Sequence, residues 1–321
     1  MAQTAARDVR RAELEGCTSA PSHGVHYYVS VPGARRKHRQ LEILRGSFRV
    51  FPPWLVHGFS TRLGGVSRVY GGSALNLGFT KHDTRAAVER NRRAFLRQLG
   101  AADGRNVWPL VTLRQIHSDL IHCVSVLPKQ QLVGDGLISA TPGLLLAIQT
   151  ADCLPVILFD AKRRAVGVFH AGWRGTIKRI VEKGVGEMRR WFKTDPRDLH
   201  AVIGPGIRAC YQVGPEVREQ FESQFAYSAD LFREVKESDP VREKYPLLFL
   251  TARAPGHSDL PKKIFLDLVE ANRHQLIAAG VPKKSITASP LCTACRTDLL
   301  FSHRAESGMT GRMMGVAGIR E

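Results

Sequence analysis

The sequence predicts a chain of mixed α and β structure, α/β or α+β, and three observations lead there. Three continuous apolar runs, 144–148, 155–159 and 165–169, read as strands buried on both faces. The segment 176–192 instead repeats its apolar residues at helical spacing. Segments of the two kinds alternate along the chain, with no fixed-period repeat and no finger, propeller or bundle pattern. Pattern alone says nothing about the order of layers.

The elements follow in order. Residues 1–22 are polar and lack apolar periodicity. A short β-like run at 25–31 precedes a basic loop at 32–40, so 1–40 reads as a flexible basic extension and 41–321 as the folded domain. An edge strand is expected within 41–50, ended by Pro52-Pro53, and a further strand at 56–61. Gly64-Gly65 and Gly71-Gly72 mark loops. Asp83-Thr84 is placed to cap a helix that buries Ala87, Val88, Phe95 and Leu99 and stops at Gly100. Strands are expected at 107–116, 121–127 and 137–139, with a turn at Asp135-Gly136 before the last. After the central strands a helix should run over 176–192, with Ile177, Ile180, Val181, Val185, Met188 and Trp191 inward. A strand at 199–204, a helix at 215–225 and a long surface excursion at 226–262 come next. A helix at 265–279 should turn Leu268, Val269, Leu276 and Ile277 inward. Short strands are expected at 285–288 and from Phe301, and a last one within 311–319.

Composition bounds the function. The chain has 321 residues, 43% of them hydrophobic, enough to bury a large core. No run approaches the ~18 apolar residues of a membrane helix, and no apolar signal region is present near the N-terminus. The expected location is cytoplasmic, and the six cysteines are accordingly read as reduced thiols. Cys292-Thr-Ala-Cys295 has no second pair to complete a zinc ribbon and reads as structural cysteines on a turn. A formal charge of +18 favours polyanions or phosphate substrates. The only dense basic cluster, at 35–39, is not interleaved with aromatic residues, so no specific nucleic-acid partner is expected. Oligomeric state is not legible.

The chemistry-bearing residues cluster around the central strands. Thr150-Ala-Asp-Cys153 sits between two apolar runs, His170-Ala-Gly-Trp-Arg-Gly175 closes a third, and Gln115-Ile-His117 closes a run upstream. Cys153, His170 and His117 form a candidate Cys-His-His set, the arrangement of a catalytic zinc with one open position. Their separations fit no compact finger, and spacing alone favours a small core cysteine with two structural histidines. A Cys153–His170 nucleophile–base dyad is a third reading. Asp152 is the carboxylate nearest in sequence to shuttle protons, or equally a structural acceptor. Arg62 and Arg174 have the forked donors that suit phosphate, with Arg304 and Arg312 as further candidates.

A series of short words resembles the laccase-domain family, also called YfiH-like or "multicopper polyphenol oxidoreductase". They are His57-Gly-Phe-Ser-Thr-Arg62, Gly64-Gly-Val-Ser67, Leu75-Asn-Leu-Gly78, Gln115-Ile-His-Ser118 and Asp135-Gly-Leu-Ile138, then Thr150-Ala-Asp-Cys153, His170-Ala-Gly-Trp-Arg-Gly175, Ile203-Gly-Pro-Gly206 and Phe301-Ser-His-Arg304. The resemblance spans about 51–319. It implies an α+β fold, a single-domain four-layer α/β/β/α sandwich of mixed sheets. It implies zinc on His117, Cys153 and His170. It further implies a purine nucleoside phosphorylase that takes phosphate with adenosine, inosine, guanosine or methylthioadenosine and has adenosine deaminase side activity. On that view Ser60, Arg62, Asn76, Gln115 and Arg174 line the substrate pocket. The family's older name points to copper-dependent polyphenol oxidation. That chemistry calls for an axial Met and further His-rich ligands, whereas the 12 histidines here include no H-x-H word.

Overall fold

The computed structural model describes residues 40–48, 51–236 and 262–321. The 25–31 run and the basic cluster at 35–39 lie outside the described residues, as does most of the 226–262 excursion. In chain order the main strands are β1 (Ile43–Leu44), β2 (Leu55–Ser60), β3 (Leu110–Arg114), β4 (Ile121–Cys123), β5 (Leu132–Val133), β6 (Gly136–Ser139), β7 (Leu145–Thr150), β8 (Leu154–Asp160), β9 (Ala165–Ala171), β10 (Leu199–Ile203), β11 (Ile286–Ala288) and β12 (Met313–Ile319). The α-helices are α1 (Arg85–Leu99), α2 (Trp173–Ile177), α3 (Ile180–Phe192), α4 (Pro215–Glu222) and α5 (Leu268–Ala278).

The strands form two six-stranded sheets, ordered β1-β2-β12-β7-β3-β5 and β11-β10-β8-β9-β6-β4. Both are mixed: β7 pairs parallel to β3 but antiparallel to β12, and β10 pairs parallel to β11 but antiparallel to β8. The chain is a single mixed α and β domain, the class the sequence predicts.

Side-chain alternation along the strands sorts the core into three clusters. Leu146 and Ile148 of β7 meet Ile157, Phe159, Val166 and Val168 of β8 and β9 between the sheets. Their neighbours Leu145 and Ala147 pack with Phe95, Leu96 and Leu99 of α1. On the far side of the second sheet, Val156, Leu158 and Phe169 pack with Val181, Val185 and Met188 of α3 and with Leu276 of α5. This arrangement leaves the strand ends, where the two sheets meet through the 151–153 turn, as the place where polar side chains can gather.

Helix α1 starts and stops as its sequence predicts. Thr84 accepts a hydrogen bond from the Ala87 amide, and Gly100 takes the left-handed conformation at φ 81°. The helix expected over 176–192 is two. The Thr176 carbonyl accepts from the Arg179 amide, and Arg179 turns left-handed at φ 63°, which separates α2 from α3. Trp191 is 54% exposed, because the inward position after Met188 is taken by Phe192. In α5, Ile277 is 40% exposed, and the inward face carries buried Asn272 and Gln275, which donate to the Thr176 hydroxyl and carbonyl. Phe265 belongs to a strand, Lys262–Leu266, that precedes this helix and pairs with Phe232–Lys236 inside the expected excursion. Phe301 is buried in a loop and begins no strand. Among the described residues no helix is long and apolar enough to cross a membrane.

Candidate active site

The antiparallel register of β8 and β9 builds half of the site. Leu154 pairs with Ala171 and Pro155 with His170. One step beyond, Cys153 faces Gly172, and a Cβ on Gly172 would sit 2.8 Å from the Cys153 sulfur and 3.2 Å from His117 Cδ2. Only glycine leaves that space free. His170 continues the inter-sheet face of Val166 and Val168 to the end of β9. His117 comes from the other sheet, three residues beyond the end of β3. The parallel neighbours β3 and β7 both end at this edge, where β8 begins and β9 ends, so both sheets bring strand ends to one place.

Cys153, His117 and His170 do meet. Their ligand atoms all lie within 4.8 Å of one another. The Cys153 sulfur is 3.8 Å from His117 Nε2, and the two imidazoles are edge-on with centroids 4.9 Å apart. His117 holds a left-handed backbone at φ 57° and Asp152 one at φ 94°, conformations that non-glycine residues adopt only when their surroundings hold them there.

Asp135 supplies that hold for the histidines. Its fully buried carboxylate lies 2.8 Å from His170 Nδ1 and accepts from the amides of Ile116, His117 and Ser118 and from the Ser118 hydroxyl. The His170 amide donates to the Asp135 carbonyl at 2.8 Å. With Nδ1 engaged, His170 offers Nε2 to the site, the carboxylate–histidine arrangement common behind metal ligands. Sequence reasoning read Asp135 only as a turn residue. The signal is an aspartate directly ahead of the apolar Leu137-Ile138 pair of a buried strand, where a carboxylate must find partners.

Electrostatics follow from these contacts. Burial alone would raise the Asp135 carboxyl, but the hydrogen bonds from His170 and Ser118 outweigh it and hold the group well below the usual carboxylate range. Burial would likewise raise the Cys153 thiol, but His170 and His117 beside it bring it down to about 6. Burial disfavours charge on His170, yet Cys153 and Asp135 push it up to about 9. The pair therefore favours thiolate beside imidazolium in the metal-free chain, and a divalent cation bound there would replace the histidine proton.

A cavity of about 490 Å³ opens from this corner, within the usual range for small-molecule sites of ~300–1,000 Å³. Its wall includes Gln115, Asp152, Trp173, Arg174, Tyr211, His303, Arg304 and Arg312. Arg174 lies over the Trp173 ring at 4.3 Å and Arg304 over Tyr211 at 5.3 Å, so each guanidinium is stacked on an aromatic ring of the wall. Neither arginine makes an ion pair with a described carboxylate, which leaves their forks available to an anion.

The remaining expected site residues divide. Gln115 reaches the cavity wall, but its amide is engaged at both ends, donating to the Gln149 carbonyl at 2.8 Å and accepting from the Gln149 amide at 2.7 Å. Asp152 accepts from the hydroxyls of Thr293 and Ser302 and from the Arg304 amide. Both its oxygens are thus engaged in fixing the wall, which favours the structural of its two readings. Ser60, Arg62 and Asn76 do not reach this wall. Ser60 accepts from the Met314 amide. Arg62 donates to the carbonyls of Thr297 and Tyr70 and pairs with Glu306. Asn76 donates to Asp83 and the Gly78 carbonyl. Through these bonds their loops brace the strands beside the cavity. Helix α2, whose Trp173 and Arg174 line the cavity, has only five residues.

Comparison with known proteins places this geometry. The family described as "Multi-copper polyphenol oxidoreductase laccase" matches residues 56–320. "Purine nucleoside phosphorylase YlmD" of Bacillus subtilis is 32% identical over 277 residues, 83% of this chain and 89% of that protein. "Adenosine deaminase RL5" from an unknown prokaryotic organism is 32% identical over 267 residues, 80% of this chain and 91% of that protein. Among solved structures, the Bacillus licheniformis "hypothetical protein YfiH" superposes with a TM-score of 0.70 at 30% identity, covering 89% of this chain and 98% of that one.

Proposed function

This chain belongs to the family described as multi-copper polyphenol oxidoreductase laccase, and from that premise we propose that it is a zinc-dependent purine nucleoside phosphorylase with adenosine deaminase side activity. The observation that carries the reading is the meeting of a Cys-His-His corner and a cationic, aromatic wall in one cavity. The names of the relatives, a phosphorylase and a deaminase, support the same substrate class.

Two imidazoles and one thiolate suit zinc, and the space kept by Gly172 suits an ion. His117 Nε2, Cys153 Sγ and His170 Nε2 would hold it. When bound, zinc supplies a Lewis acid and lowers the pKa of a bound water to ~7. None of the residues lining the cavity is the methionine that a blue-copper site takes as its axial ligand.

The protein's own residues account for the rest. In phosphorolysis a phosphate oxygen attacks C1′ of the ribose as the bond to the purine nitrogen breaks, giving free base and ribose 1-phosphate. Arg174, Arg304 and Arg312 share the wall and would fix the phosphate dianion by forked donors. Trp173 and Tyr211 offer flat faces to a purine. Asp135 keeps His170 in one tautomer and His117 in its backbone conformation. Adenosine, inosine, guanosine and methylthioadenosine are the proposed substrates.

A second reading rests on one observation: Asp135, His170 and Cys153 also form an acid–base–nucleophile line, as in a cysteine hydrolase. A nucleoside panel with and without phosphate, products identified by mass, tests the proposal. Ribose 1-phosphate formed only with phosphate, and inosine from adenosine without it, are expected. No turnover of any purine nucleoside would overturn the assignment. Arg174→Lys should lower phosphorolysis at least ~10-fold by removing the fork and spare deamination. Equal loss of both activities would make Arg174 structural.

A further inference from the structure

We propose that Cys210 and Cys295 form a redox modification site: a vicinal dithiol that a hydroperoxide converts to a disulfide joining two loops behind the cavity wall. The observation is a second convergence of sulfurs, separate from the Cys-His-His corner. Cys210 lies in the segment between β10 and α4, and Cys292 and Cys295 lie on the turn after β11. These two stretches, 85 residues apart at Cys210 and Cys295, bring all three sulfurs within 4.8 Å of one another. The local C-x-x-C, read from sequence as two structural cysteines, thus gains a distant third member.

Distance decides between the two uses of such a cluster. Four sulfurs around zinc at ~2.3 Å stand roughly 3.8 Å apart. The Cys210 and Cys295 sulfurs are 3.1 Å apart, nearer to each other than two ligands of one zinc would stand, so they face each other directly. Both residues are partly exposed, so a small oxidant has access, while Cys292 is buried beside them. The pairing therefore runs across the loops, between Cys210 and Cys295.

The step balances with one hydroperoxide. The thiolate of one cysteine attacks the peroxide, the O–O bond breaks, an S–O bond forms, and an alcohol or water leaves. The second thiol then attacks that sulfur, the S–S bond forms, the S–O bond breaks, and the departing hydroxide takes the thiol proton as water. Two thiols are oxidised and one peroxide is reduced.

The place of the link matters. Tyr211, next to Cys210, is on the cavity wall, and Thr293, between the other two cysteines, binds the Asp152 carboxylate at 2.6 Å. The Thr293 amide also donates to the Gly206 carbonyl, so the two loops already touch. A covalent link there ties together two segments that position the wall beside Cys153.

The test uses the full chain treated with hydrogen peroxide, then alkylated and cut with trypsin. Cys210 falls on peptide 209–218, and Cys292 and Cys295 fall together on peptide 285–296. The expected product is these two peptides joined, lighter than their sum by two hydrogens and separated by dithiothreitol. The link should persist in Cys292→Ser and vanish in Cys295→Ser, and oxidation should raise the melting temperature of the wild type but not of Cys295→Ser. Three alkylated thiols after peroxide, a link internal to peptide 285–296, or a second zinc per chain that protects all three thiols would each overturn the proposal.

Discussion

At Asp135 one carboxylate meets three consecutive backbone amides, a hydroxyl and an imidazole. Those contacts hold both histidines of the corner at once, so on the proposed function the residue should matter more to metal affinity than to folding alone. Asp135→Asn keeps the shape but puts an N–H where an acceptor is needed. We expect metal affinity to fall roughly 10–100-fold, read by competition with a chromophoric chelator. Unchanged affinity would show that His170 needs no partner. His57 is a residue of another kind. It is fully buried between the sheets beside Phe51, at a ring distance of 4.1 Å, with neither ring nitrogen bonded among the described residues. Burial, helped by Arg45, lowers its pKa to about 3. A lowered folded-state pKa means that stability is fully present above the ordinary histidine value of about 6.5 and is lost as pH falls from there toward 3. Between pH 7 and 5 this group should cost about 2 kcal/mol. Urea unfolding of wild type and His57→Leu at both values should show the smaller loss in the variant, and equal losses would contradict the assignment.

Among the elements, β9 and α3 show how the site is kept in place from behind. The Phe169 ring, next to His170, fits a slot made by three glycines. A Cβ would come within 3.0 Å of the ring at Gly136, 2.8 Å at Gly167 and 2.5 Å at Gly184. Two of those glycines are in the sheet and one is on α3, so the ring has no direction in which to yield. Alanine at Gly184 would gain about 1 kcal/mol of helix propensity but overpack the slot by about 1–3 kcal/mol. Gly184→Ala should therefore destabilise the protein by about 1 kcal/mol in urea unfolding, and a stabilised variant would show that the helix can shift outward. The same elements show what was legible in the sequence. Continuous apolar runs mark β7, β8 and β9 because both faces are buried, and Thr84 and Gly100 mark α1 because caps are local chemistry. The break at Arg179 was not legible, because it depends on Gln275 and Asn272 of α5, nearly a hundred residues away, engaging Thr176. Asp135 was hidden for the same reason: its partners come from two other segments. Arg62 reads as a phosphate ligand by its type, but a partly buried carboxylate and two carbonyls already occupy it.

Taken whole, the molecule places a metal-type corner where two mixed sheets bring their strand ends together, and surrounds it with arginines and aromatic faces. The fold supplies rigidity through its three packed clusters, while the cavity remains on the edge that the sheets share. A metal-assisted nucleoside enzyme and a metal-free cysteine hydrolase make opposite demands on the same three side chains. The most direct measurement is phosphate-dependent release of hypoxanthine from inosine by purified protein, followed as zinc is stripped with a chelator and then restored. The account predicts about one zinc per chain, activity lost in step with the metal and recovered with it, and neither zinc nor activity in Cys153→Ser. Full phosphorolysis after complete removal of zinc, or a protein that holds copper and no zinc, would contradict it.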